Sequence, residues 1–216
     1  MWKWFLPVML SSLPVAAAAA PARADAPLIL ALGDSLTAGY GLDPGLGFAP
    51  QLQAALRRQG IKATVHDAGV SGDTTAGGRA RLGWTLSGLP RQPDLAIVEL
   101  GANDMLRGVD PKVTEANLEA IVGELKKRGI PVLVAGMLAA PNLDPAYRRQ
   151  FDGLFPALAR RHGATLYPFF LQGVAGNRSL AIADGIHPNF EGIKRIVTGI
   201  LPTIERALAR PREPAK

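Results

Sequence analysis

Three junctions in this 216-residue chain share one grammar. Arg57-Arg58 stand before Gly60, Lys126-Lys127-Arg128 before Gly129 and Arg160-Arg161 before Gly163, and each glycine leads into an apolar run. Cations favour the negative end of a helix dipole, and glycine closes a helix because it enters left-handed backbone without a Cβ penalty. Each junction therefore reads as the end of an amphipathic helix followed by a strand. The strands expected there are Ile61 to Val65, Ile130 to Met137 and Ala164 to Tyr167; Leu28 to Leu32 and Leu95 to Leu100 make five. Several are continuous apolar runs, the pattern of parallel strands covered on both faces. Helices are expected at about 48–59, 74–86, 114–128, 145–162 and 190–209. Such alternation predicts an α/β sandwich around a mostly parallel sheet. Ligands of open parallel sheets bind beyond the carboxyl ends of the strands. The loops there begin at Gly33, Asp67, Gly101, Leu138 and Pro168.

The N-terminus is built differently. Trp2-Lys3-Trp4 precedes the apolar stretch Phe5 to Ala20, and Ala22-Arg23-Ala24 places small residues where a signal peptidase cuts. Residues 1–24 read as a secretory signal peptide cleaved after Ala24, which implies a periplasmic or secreted protein. A retained membrane anchor is the competing reading, but the stretch is interrupted by Pro7 and Pro14 and is short beside the about 20 apolar residues of a spanning helix. No stable membrane insertion is expected after cleavage. About 190 residues then remain, enough for one domain with a substantial core, 25–210. Residues 211–216 read as a frayed tail.

A chain that is 48% hydrophobic and 19% charged folds as a globule. It has no cysteine, which excludes disulfides, a thiol nucleophile and cysteine metal sites. The net charge of +6 invites a nucleic-acid partner, but Lys3 and Arg23 leave with the leader, and helix ends account for the basic pairs that remain. A nucleic-acid partner is therefore not expected.

Chemistry concentrates in the strand-end loops. Gly33-Asp34-Ser35-Leu36 places a hydroxyl at the tip of the first strand, and Asp184-Gly185-Ile186-His187 offers a carboxylate and a base three residues apart. A serine alcohol becomes a useful nucleophile when a base takes its proton and a third group orients that base. Pro188 biases His187 away from helical backbone, which places its ring on a turn. Asp184 then accepts from one ring nitrogen and leaves the other for Ser35. His66 and His162 lack that setting and read as a strand end and a helix C-terminus. An oxyanion hole needs converging donors, and the N–H groups of Ser35 and Gly72 with the Asn103 amide make a set. Each has a plain alternative: Ser35 caps a helix, Gly72 makes a turn, Asn103 caps one.

The four blocks Gly33-Asp34-Ser35-Leu36, Ser71-Gly72-Asp73-Thr74, Gly101-Ala102-Asn103-Asp104 and Asp184-Gly185-Ile186-His187-Pro188-Asn189 together resemble the SGNH, or GDSL, hydrolase family. The resemblance covers about 28–209 and is nearest to the bacterial periplasmic thioesterase I/protease I/lysophospholipase group and its arylesterase relatives. One departure is Ala183, where some relatives carry a second acid. The resemblance implies a three-layer α/β/α sandwich with a five-stranded parallel sheet of flavodoxin-like type. It also implies Ser35 as nucleophile, His187 as base, Asp184 as orienting acid, and Ser35, Gly72 and Asn103 as the oxyanion hole.

The function expected is a serine esterase acting on small acyl or aryl esters or thioesters through an acyl-enzyme, with no cofactor and no metal. Met105, Leu106, Leu138 and Pro141 are the expected substrate-binding residues, being apolar and placed in strand-end loops. Two other readings compete with it. A metal-dependent phosphoesterase would ring a metal with Asp34, Asp73, Asn103, Asp104, Asp184 and His187, but such sites want more than one histidine. A non-catalytic binding protein on a hydrolase scaffold would discard a complete set of reactive groups. N-terminal sequencing of exported protein is expected to begin at or near Asp25; a secreted chain that retains Met1 contradicts the signal-peptide reading.

Overall fold

The computed structural model describes Met1 and residues 26–210. The rest of the expected signal peptide and the tail at 211–216 lie outside the described residues. In chain order the elements are β1 (Leu28–Gly33), α1 (Ser35–Ala38), α2 (Phe48–Arg58), β2 (Thr64–Gly69), α3 (Thr75–Ser87), β3 (Leu95–Glu99) and α4 (Ala102–Leu106). There follow α5 (Pro111–Lys127), β4 (Val132–Ala135), α6 (Pro145–His162), β5 (Thr165–Tyr167), a 3-10 turn at Arg178–Leu180 and α7 (Phe190–Ala209).

The five strands are parallel in the order β2-β1-β3-β4-β5, the flavodoxin-like order. Helix α2 packs against α7 on one face, while α3, α5 and α6 form a row on the other. Every residue of β1, β3 and β4 is buried, and this is why those strands read as unbroken apolar runs. The basic junctions hold as well: Arg57 and Arg58, Lys126 and Lys127, and Arg160 and Arg161 occupy last turns. Gly60, Gly129 and Gly163 follow in left-handed backbone.

The expected elements are corrected at four places. The second strand runs Thr64–Gly69, not Ile61 to Val65, and its loop begins at Val70, not Asp67. It is an edge strand with several exposed positions, so His66 and Asp67 sit inside it where a hydrophobic reading sees a loop. His66 is therefore in mid-strand, not at a strand end. The fourth strand is shorter than Ile130 to Met137: it starts at Val132, since Pro131 has no N–H for the ladder, and ends at Ala135. Helix α5 starts earlier than 114, at Pro111, with Asp110 accepting from Lys112 N–H as its cap; proline suits a first helical position. Helices α1 and α4, with four and five residues, are too short to show a hydrophobic period.

The register brings Gly33 level with Gly69 on one side and Glu99 on the other. Beyond that edge α1 docks very closely on β2. A Cβ built on Gly69 would stand 2.3 Å from Ala38 N and 2.7 Å from Ala38 Cα, both backbone atoms that cannot swing aside. Gly69→Ala is accordingly expected to cost about 1–3 kcal/mol in denaturant unfolding, the usual cost of overpacking. An unchanged midpoint would show that α1 can yield.

Candidate active site

Chain leaving β1 turns at once into α1. Asp34 is the N-cap, its Oδ1 accepting Leu36 N–H at 2.9 Å. Ser35 is thus the first residue of a short helix, not a loop tip, and is 9% exposed. It lies inside the helix that Asp34 caps, so the simple capping role falls to its neighbour.

From the other end of the chain, Ala181 and Pro188 form an antiparallel bridge, and Ile182 N–H donates to His187 O at 2.9 Å. The small loop between them returns His187 to the sheet edge. Within it, Asp184 Oδ1 accepts the N–H groups of Ile186 at 2.8 Å and His187 at 3.0 Å. Asp184 Oδ2 lies 2.6 Å from His187 Nδ1. Across the cleft, His187 Nε2 stands 2.9 Å from Ser35 Oγ, bridging 152 residues of sequence. With the carboxylate facing Nδ1, that nitrogen carries the hydrogen and Nε2 is left to accept. The Ile186 N–H, then the His187 ring and N–H, hold Asp184 down at about 2, so it stays ionised throughout the neutral range. The Tyr40 ring packs against the His187 ring, centroids 4.6 Å apart and planes tilted by 42°.

Of the expected oxyanion donors, Asn103 is joined to the turn that carries Ser35, and Gly72 lies in the loop after β2. Asn103 lies in α4 behind Gly101, whose φ of 120° only glycine tolerates comfortably. Its Nδ2 donates to Asp34 Oδ2 at 3.0 Å, so its amide is tied to the residue beside Ser35 and caps no turn. Ser35 N–H and Gly72 N–H have no acceptor among the described residues. Gly72 O is held by Arg107 Nη2 at 2.7 Å, which gives that arginine a loop-fixing contact. Arg81 ties the two loops together. Its Nε meets Asp73 Oδ2 at 2.7 Å and its Nη2 donates to Gly33 O at 2.9 Å.

A GDSL-like lipase/acylhydrolase family profile matches residues 31–195. The chain belongs to that family. Esterase TesA of Pseudomonas aeruginosa is 38% identical over 186 residues, 86% of this chain and 92% of that protein. Thioesterase 1/protease 1/lysophospholipase L1 of Escherichia coli strain K12 is 34% identical over 189 residues, 88% of this chain and 86% of that protein. Among solved structures, the SGNH-hydrolase family esterase AlinE4 superposes with a TM-score of 0.73 at 46% identity, covering 86% of this chain and 98% of that one. This GDSL protein is an ester-hydrolysing serine hydrolase.

Beside Ser35 and His187 the GDSL hydrolase opens a cavity of about 420 Å³. All four expected apolar residues, Met105, Leu106, Leu138 and Pro141, line it, and Phe169 and Ile186 join them. Gly72 lies outside the lining. Among the described residues no three histidine, aspartate or glutamate side chains cluster closely enough to hold a metal ion. Asp104, one of the groups weighed as a metal ligand, is instead buried against Thr75, accepting its N–H at 2.8 Å and its hydroxyl at 2.5 Å. Sequence reasoning missed Tyr40, Arg81 and Asp34 as supports of the site. Asp34 carried a signal, an aspartate directly before a helix start, while Tyr40 and Arg81 carried none.

Burial pushes the Asp34 carboxyl up from 3.8 to about 6, against the lowering effect of the Leu36 N–H and the Asn103 amide. The folded protein then binds this proton more tightly than the unfolded chain does. The group's contribution to stability is therefore greatest below about pH 4 and falls as pH rises through about 6. Asp34→Asn is expected to gain stability relative to wild type across that window, by on the order of 2 kcal/mol between pH 4 and pH 7.5. Urea melts of both proteins at the two pH values check it; a flat or opposite difference rejects the raised carboxyl.

Proposed function

We propose that Ser35, His187 and Asp184 carry out acyl transfer, with the Ser35 and Gly72 N–H groups and the Asn103 amide as the oxyanion hole. The observation that carries this reading is the continuous relay from Asp184 Oδ2 to His187 Nδ1 at 2.6 Å and from His187 Nε2 to Ser35 Oγ at 2.9 Å, ending at an apolar cavity. Ser35 Oγ attacks the carbonyl carbon while His187 Nε2 takes the hydroxyl proton. Asp184, ionised throughout, stabilises the imidazolium and keeps its hydrogen on Nδ1. The tetrahedral oxyanion collapses, the leaving alcohol or thiol receives the proton from His187, and an acyl ester on Ser35 remains. Water then attacks that ester as His187 takes its proton, and His187 returns that proton to Ser35 Oγ as the acid is released.

The substrate class follows from the walls. An apolar cavity lined by Met105, Leu106, Leu138 and Pro141 suits an aliphatic acyl or aryl group and offers no charged partner to a polar one. The names of the TesA esterase and of thioesterase 1/protease 1/lysophospholipase L1 support carboxylic ester and thioester bonds alike. Export is part of this proposal: residues 1–24 act as a cleavable signal peptide, and residues 25–210 form the periplasmic or secreted hydrolase domain. No described helix is long and apolar enough to cross a membrane.

Ser35→Ala and His187→Ala are each expected to lower kcat on a chromogenic short-chain ester by at least about 10³-fold while the circular dichroism spectrum is kept. Retention of a tenth of the wild-type rate by Ser35→Ala, with contaminating esterase excluded, would falsify the assignment. Asn103→Ala separates binding from chemistry. A loss of about 10²–10³ in kcat at nearly constant KM is expected of an oxyanion donor, whereas a raised KM with kcat intact marks a substrate contact instead.

A further inference from the structure

Glu99 closes β3 beside the site and has no role in the chemistry above. Its side chain is 1% exposed. Oε2 accepts the Thr37 hydroxyl at 2.8 Å and, at a longer 3.4 Å, the Asp34 N–H. Oε1 is buried and receives no hydrogen bond from a conventional donor among the described residues. An ionised carboxylate so placed would be poorly compensated, and buried acids escape that cost by taking up a proton. Asp34 meets Glu99 through its own backbone N–H, and the two neighbouring carboxyl groups act on each other electrostatically. Two neighbouring buried carboxyl groups resist being ionised together, so the pair favours holding one proton.

The partners of the two acids decide which one holds it. Asp34 accepts Leu36 N–H at 2.9 Å and Asn103 Nδ2 at 3.0 Å, both of which favour its anion. Glu99 has one hydroxyl and one long N–H. The charged groups facing the pair do not reverse the order. His187 acts on Asp34 and favours its anion. Arg81, which reaches the same turn from α3, is engaged by Asp73 and the Gly33 carbonyl. The backbone has been shaped around this carboxyl: a Cβ on Gly33, the residue level with Glu99 in the sheet, would come within 2.7 Å of Glu99 Oε2 and 2.0 Å of Thr37 Oγ1. Burial, reinforced by the Asp34 charge, pushes Glu99 well above the ordinary carboxyl range.

We propose that Glu99 is a positioning residue: it stays protonated at neutral pH and donates its O–H to the Asp34 carboxylate, which thereby holds the Asn103 amide in place for the oxyanion. The chain of contacts is Glu99 to Asp34 to Asn103, three side chains from the ends of β1 and β3 and from α4. It rests on the reading of Asn103 as an oxyanion donor, and it extends the working parts of the site one layer into the core.

The test compares Glu99→Gln and Glu99→Leu with wild type at pH 8. Glutamine keeps the size, an N–H donor toward Asp34 and an acceptor for Thr37; leucine removes all polar contact. An infrared difference spectrum between wild type and Glu99→Gln should contain the carbonyl stretch of a protonated carboxylic acid that the variant lacks. Glu99→Gln should keep kcat within about threefold, whereas Glu99→Leu should lower it about 10–100-fold with KM within about twofold. Ionised-carboxylate bands alone, a Glu99→Gln variant as slow as the leucine variant, or a folded Glu99→Leu variant of normal kcat would each overturn the proposal. If Glu99→Leu fails to fold, the infrared band and the Glu99→Gln kinetics decide. Asn103→Ala keeps the two readings apart. Normal turnover there removes the oxyanion assignment and leaves the Glu99 proton standing; a missing band with Asn103→Ala impaired removes only the role of Glu99.

Discussion

Everything at the site is placed by reference to β1, which is buried on both faces and paired along both edges. Its neighbours β2 and β3 are set by backbone hydrogen bonds whose register puts Gly33 level with Gly69 and Glu99. A shift of one residue would turn each apolar side chain of β1 to the opposite face, so the core itself fixes where the strand stops. Ser35 follows two residues after that stop. Its position is consequently fixed by the packing of Leu28 to Leu32 as much as by anything in the loop.

Around that fixed point the protein accumulates unfavourable electrostatics that a purely stable fold would avoid. Asp34 and Glu99 are neighbouring buried acids, and Asp34 sits at about 6 because burial outweighs the hydrogen bonds it accepts. Asp184, on an exposed loop, is instead held at about 2 by two backbone N–H groups and the His187 ring. The same side-chain type is thus set to opposite ends of its range within one site. The difference comes from water access: the buried acid loses hydration, while the exposed one keeps it and adds hydrogen bonds.

Much of this was legible in the chain and some was not, for identifiable reasons. The basic last turns with their glycines gave the helix-to-strand junctions, because dipole and cap are local physics. Strands β1, β3 and β4 announced themselves by unbroken burial, whereas β2 did not, since at an edge His66 and Asp67 can face water. Ser35, Asp184 and His187 could be read from short motifs whose spacing carries chemistry. Gly72 and Asn103 could be named in the same way, but the bond from Asn103 to Asp34 could not, because it depends on how α4 docks beside α1. Arg81 and Glu99 were invisible: one is an ordinary arginine in a helical stretch, the other an acid inside a strand. Their roles arise from contacts made across 48 and 62 residues, to Gly33 and Thr37.

The relay joins parts of the molecule that differ in how firmly they are held. Ser35 stands on β1, in the middle of the sheet. Asp184 and His187 stand on a loop closed by one bridge between Ala181 and Pro188 and by the Asn189 side chain, which donates to Ser179 O at 2.9 Å and Ala181 O at 3.3 Å. A segment secured by so few backbone contacts opens at a smaller free-energy cost than the sheet does. Heat or mild denaturant is therefore expected to separate His187 from the Ser35 hydroxyl before the core gives way. The endurance of the relay is then expected to follow a surface loop, and that of the fold the strands beneath it.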